Sequence, residues 1–168
     1  MGRKVLFAMA AVATIGLGVA CSRSTDASHH HEHSDQAEVA SHDHHHEPPH
    51  GGTAVVLGHE AFHLEFVKEP GQPVLRAYLL DGHMEHFVRS EVPEFTVIIR
   101  TGDDERPLIF RAVADPHTGE RSGDSSTFEA KADWLATVDR FDARLEGLVI
   151  RGAIFTDVPF RFPEGNEK

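Results

Sequence analysis

Histidine is the residue most able to do chemistry in this chain. Of its 14 histidines, nine fall between Ser22 and His50, at His29, His30, His31, His33, His42, His44, His45, His46 and His50. Six acids, from Asp26 to Glu47, are interleaved with them. Clusters such as HHHEH and HDHHHEPPH offer closely spaced imidazoles, which bind borderline cations such as Zn²⁺, Cu²⁺ and Ni²⁺ when neutral. A ligand cluster without imposed geometry leaves the choice of ion to the Irving–Williams order. The same stretch contains no Leu, Ile, Phe, Trp or Tyr, and its only apolar residues are three alanines and Val39. It is therefore expected to be disordered, because it cannot bury enough surface to offset its chain entropy. Two readings stand side by side: a metal collector, or a solvated tether spanning on the order of 30 Å.

Two further clusters lie downstream. His59-Glu60-Ala61-Phe62-His63 matches HExxH, which on a helix would bind zinc through both histidines with Glu60 as general base. Gly58 and the alternation Phe62, Leu64, Phe66 favour a strand instead, which would hold the two imidazoles roughly 13 Å apart, too far to share an ion. His83-Met84-Glu85-His86 follows the turn signal Asp81-Gly82 and combines donors that suit copper or zinc. On a regular strand His83 and Glu85 would share one face and Met84 and His86 the other. One ion would then need irregular backbone or a neighbour such as His63, and the bland alternative is a charged edge strand. His117 is expected to be exposed, and Tyr78 and Trp134 to pack. Nothing resembles a nucleophile elbow, a P-loop or a dinucleotide fingerprint, so no organic cofactor is expected.

The elements that must position these residues are strands. From Thr53 onward, short apolar runs alternate with turn signals: TAVVLG, FHLEFV, VLRAYLL, HMEHFVR, FTVIIR, PLIFRAV and STFEAKAD. WLATVDRF allows one short helix, and FDARLEGLVIRGAIFTDVPFRF reads as two strands with a bend at Gly147 or Gly152. Asp81-Gly82 is expected to join VLRAYLL and HMEHFVR as a hairpin, with TGDDER joining a second. The fold class is all-β, a single antiparallel β-sandwich or barrel-like domain of about seven or eight strands over residues 51–168, preceded by the His-rich segment 21–50. Twenty-seven acids against 16 bases give a net charge of −11, which argues against nucleic acid as a partner and suits cations.

Residues 1–20, with Arg3 and Lys4 ahead of an apolar run from Val5 to Ala20, read as an export signal. The run ends LGVAC, which resembles a bacterial lipoprotein box with Gly18 where Leu is usual, and this implies lipidation of Cys21. The alternative is plain cleavage after Ala20, leaving a free thiol. Ser22 after the cysteine implies, by the same resemblance, an outer-membrane lipoprotein facing the periplasm. With one cysteine there can be no intramolecular disulfide. His50-Gly51-Gly52, VVLG, FHLEFV, AYLLDG and the late apolar strand resemble small β-domains of bacterial secreted lipoproteins of unassigned function. The amino-terminal segment is similar to the His-rich extension of some periplasmic adaptor subunits of heavy-metal efflux pumps. The resemblance implies an accessory role near metal export, with metal ions, the membrane and an efflux component as partners. The expected function is thus non-enzymatic: binding or buffering of divalent metal in the envelope. An envelope protein-interaction module with an inert His-rich spacer, and an HExxH zinc hydrolase, are the other readings.

Overall fold

The computed structural model describes residues 47–167. The signal at 1–20, Cys21 and the histidines from His29 to His46 lie outside the described residues. Eight strands follow in chain order: β1 (Thr53–Leu57), β2 (Phe62–Lys68), β3 (Val74–Asp81), β4 (Glu94–Thr101), β5 (Asp104–Ala112), β6 (Thr127–Lys131), β7 (Phe141–Ile150) and β8 (Ala153–Phe162). One turn of 3₁₀-helix, Asp133–Ala136, lies between β6 and β7. The chain is all-β, as its period-2 runs imply. Its strands form one antiparallel sheet in the order β1-β2-β3-β6-β5-β4-β7-β8, nearly closed on itself, so the barrel-like arrangement holds rather than two stacked sheets.

Phenylalanine fills the interior of this curled sheet. Phe66 of β2 stacks on Phe160 of β8 at 4.9 Å and meets Phe110 of β5 edge-on at 5.4 Å, which ties three sectors of the wall together. Phe95 stacks on Phe110 at 5.0 Å and meets Phe128 of β6 at 5.0 Å. Each such ring removed from water contributes about 1.5–3 kcal/mol. The barrel is therefore a packed core, and chemistry has to be sought on its wall.

Two turns follow their sequence signals. Arg151 and Gly152 both have positive φ, +49° and +80°, the two-residue hairpin geometry that matches strand twist, and they join β7 to β8. Gly102, with φ +62°, opens the two-residue loop between β4 and β5. Gly147 marks a change of phase: Phe141, Ala143 and Leu145 face the core before it, and Leu148 and Ile150 after it. β8 changes phase opposite, so Phe160 and Phe162 are buried while Ile154, an even number of residues before them on the same strand, is 71% exposed.

The hairpin expected at Asp81-Gly82 is corrected. HMEHFVR forms no strand; its return along β3 is a single bridge, Leu80 to Phe87. β3 pairs on its other side with β6, Val74–Tyr78 against Thr127–Lys131. The physical reason lies in the Asp81 carboxylate, whose Oδ1 accepts the backbone N–H groups of Glu85 (3.0 Å) and His86 (3.3 Å) and coils the chain. Met84 completes the coil with φ +57°.

The two edges of the sheet, β1 and β8, are joined through the tail after β8. The Asn166 side-chain amide accepts from the Val56 N–H at 2.7 Å and donates to the Val56 carbonyl at 3.1 Å. One side chain thus does for β1 what a partner strand would, and it covers an edge that is otherwise a template for aggregation. Thr53 adds a bond from its hydroxyl to the Pro163 carbonyl at 3.0 Å.

Candidate functional site

Alternation along β2 places Leu64 and Phe66 in the core and turns His63 and Glu65 to the outside. Both outward residues are nevertheless 0% exposed. Segments distant in sequence reach this outer face: residues before β1, the loop after β3 and the tail after β8.

Glu65 organises what covers it. Its Oε1 accepts the backbone N–H groups of His50 (2.8 Å) and Gly52 (2.9 Å), and its Oε2 lies 2.7 Å from Nδ1 of His50. A carboxylate can only accept, so in this contact the hydrogen sits on Nδ1 and Nε2 is the ring nitrogen turned away from Glu65. Burying a carboxylate costs several kcal/mol unless donors replace its water, and here three N–H groups do so. The His50 ring stacks on Tyr78, with centroids 4.0 Å apart and planes within 14°, and Phe87 lies 5.9 Å away. Tyr78 stands directly opposite Glu65 in the β2–β3 register, so one cross-strand pair holds the imidazole by its edge and by its face. The side chain of His50 keeps 34% of its surface in solvent.

The glycine pair after His50 makes this arrangement possible. Gly51 has φ +66°, a left-handed turn that brings the chain down onto β2. At Gly52 a Cβ would lie 2.6 Å from the Phe66 carbonyl oxygen and 2.9 Å from Cγ of Glu65, so any larger residue would push the segment off the carboxylate. His50-Gly51-Gly52 is thus a docking element read by β2.

His63 lies one pleat from Glu65. Its Nδ1 is 3.2 Å from the Asp81 carbonyl oxygen, and its Nε2 is 3.7 Å from Oε1 of Glu167. The HExxH match does not form a helix. Gly58 to Ala61 are the turn between β1 and β2, His59 and Glu60 are exposed, and Glu60 has φ +56°.

The residues of the second cluster diverge. Met84 is buried at 4% exposure, whereas His83, Glu85 and His86 are exposed. The His86 Nδ1 lies 3.0 Å from Oδ2 of Asp81. Burial pushes the Asp81 carboxyl up, but the backbone N–H groups of Glu85 and His86, with the imidazole of His86, outweigh that and hold it below the usual carboxylate range. Among the described residues, no group of three or more His, Cys, Asp or Glu side chains is placed to hold a metal ion. His117 is exposed in the loop between β5 and β6. Trp134 is half-buried, carries Arg106 at 5.3 Å over its ring and meets Phe141 edge-on at 6.5 Å, as a packing residue would.

Sequence reasoning missed Glu65. The signal was present as an acid between Leu64 and Phe66 in FHLEFV, but alternation alone assigns such a position to solvent. No protein-family model, curated protein or solved structure matches the chain.

Proposed function

We propose that this is an exported, lipid-anchored accessory protein of the bacterial envelope that binds or buffers divalent metal, with Zn²⁺, Cu²⁺ or Ni²⁺ as cargo, and that its role is binding rather than catalysis. The observation that carries this is a run of nine histidines whose last member, His50, is docked on the folded domain with its ring aligned by a buried carboxylate. The remaining eight, His29, His30, His31, His33, His42, His44, His45 and His46, collect ions from the surroundings. The six interleaved acids and the net charge of −11 raise the local cation concentration. Anchoring through Cys21 holds this collector at the periplasmic face of the outer membrane, where it serves a metal-efflux system.

Calorimetric titration with Zn²⁺ or Cu²⁺ tests the reading on protein purified without a tag. The native chain takes up several equivalents, and a variant with those eight histidines changed to Asn loses most of the uptake. Equal uptake by both would overturn it.

A further inference from the structure

We propose that the outer wall formed by β5, β4, β7 and β8 is the surface on which two copies of this chain meet, across a two-fold axis that runs parallel to the strands between β4 and β7.

A row of four charges crosses this wall. The strand registers set Glu105 opposite Arg100, Arg100 opposite Asp142 and Asp142 opposite Arg161, so the row reads acid, base, acid, base from β5 to β8. All four side chains are more than half exposed. Their separations of 4.0, 4.0 and 3.4 Å exceed the roughly 2.7–2.9 Å of a charge-assisted hydrogen bond, so each group is free to turn toward a new partner. An alternating row of even length, when reversed, presents the opposite sign at every place. A two-fold axis parallel to the strands makes that reversal. It sets each copy's Glu105 over the other's Arg161, and Arg100 over Asp142. The contact is then self-complementary, as a two-fold interface requires.

The neighbouring row obeys the same axis. One pleat along, the registers align Pro107, Ile98, Arg144 and Pro159. Reversal lays proline on proline, and Ile98 on the methylenes of Arg144, whose guanidinium is drawn aside to Asp157 at 2.7 Å. Like charges do not meet in either row.

The balance of charge selects a second copy as the occupant. The chain carries −11 overall, so two copies repel one another at long range. On these four strands, however, six acids stand against five arginines, and the repulsion is least here. A partner of a single sign would gain at two places in the row and lose at the other two. The wall is also clear of the docked His50 segment, because β4 lies four places from β2 in the sheet order, on the other side of the barrel. Four strands about 4.8 Å apart, each with three or four outward residues about 6.8 Å apart, offer roughly 400–500 Å² per copy. Two copies bury about 1,000 Å² together, the low end for a specific contact, so the dimer is weak.

Sedimentation equilibrium of the native chain tests this, with EDTA and a reductant present so that neither a bridging metal nor a Cys21 disulfide joins copies. Between about 1 μM and about 500 μM the apparent mass should climb from 18.5 kDa toward twice that value. Arg161→Glu brings like charges together at both ends of the row, and Glu105→Arg does the same with the other sign. Each alone should weaken the dimer by about 10-fold or more. Mixed in equal amounts, the two variants should pair with each other at about native strength, because every facing pair is again of opposite sign. Melting curves show whether both variants fold; if one does not, Arg100→Glu and Asp142→Arg are the equivalent pair at the centre of the row. A native chain that stays monomeric throughout overturns the proposal and leaves the wall to a partner of another sequence. A dimer indifferent to Arg161→Glu overturns it by placing the contact elsewhere. A mixture that associates no better than its components overturns the two-fold register.

Discussion

A carboxylate shut away from water survives only by finding donors inside the protein, and those of Glu65 come from a segment 13 to 15 residues earlier in the chain. Glu65→Ala leaves the backbone N–H groups of His50 and Gly52 without their acceptor and frees the His50 ring. Urea unfolding should register a loss of about 3 kcal/mol. Gly52→Ala attacks the same contact from the other side, since its methyl would sit 2.6 Å from the Phe66 carbonyl oxygen, and should cost about 1–3 kcal/mol. Asp81 makes a prediction in pH. Its carboxyl is held below the usual range in the fold, burial being outweighed by the N–H groups and imidazole that it accepts. It therefore contributes stability at pH values above about 4, and that contribution disappears as pH falls through its lowered value. Asp81→Asn should be less stable than the native chain near neutrality, and urea midpoints measured down the pH scale should converge below pH 4. The individual partners of these two acids were not legible in the sequence. Asp81-Gly82 was read as the loop of a two-residue hairpin, whereas Asp81 opens a turn closed by the Met84 N–H to its carbonyl at 3.1 Å, and its capping of Glu85 and His86 depends on the backbone coiling that it causes. The alternation of Phe62, Leu64 and Phe66 puts Glu65 on the opposite face of the strand, but alternation says which way a side chain points and is silent on what lies over it.

At the scale of elements the sequence was more informative, because each strand carries its own signature. FTVIIR and PLIFRAV, or the two runs around Arg151-Gly152, hold the period and the turn residues of a hairpin within about 20 residues. The β3–β6 pairing joins residues some 50 apart, and nothing local in VLRAYLL announces it. The seam between β1 and β8 is still more remote, since Asn166 reaches Val56 across 110 positions. That seam can be tested. Asn166→Ala removes both the acceptor and the donor that face Val56, and should cost about 1–3 kcal/mol while the Val56 amide hydrogen exchanges faster. Asn166→Asp retains an acceptor for the Val56 N–H but offers the Val56 carbonyl no donor, so the amide should stay protected while stability still falls. If exchange at Val56 is the same in the native chain and Asn166→Ala, the tail does not hold the edge.

For the whole molecule, the question is whether an ion caught by the His-rich segment is felt by the folded domain. A ligand stabilises a fold only to the extent that it prefers the folded chain to the unfolded one. Imidazoles that bind an ion equally well in both states take up metal and leave the melting temperature where it was, however many there are. His50 is different, because its ring is aligned by Glu65 and Tyr78 only when β2 and β3 are formed. If that alignment raises affinity 10–100-fold, zinc should stabilise the domain by about 1.4–2.7 kcal/mol, that is, RT times the logarithm of the ratio. For a domain of this size the melting temperature should rise by roughly 4–10 °C. The rise must level off, since at high zinc the unfolded chain is saturated as well and only the ratio of affinities remains. Melting curves over a zinc series therefore separate three cases. A rise that saturates and is abolished by His50→Phe marks an ion shared between segment and domain. Uptake without any rise confines the metal to the segment. A rise that persists in His50→Phe assigns the coupling to another residue and removes His50 from the route.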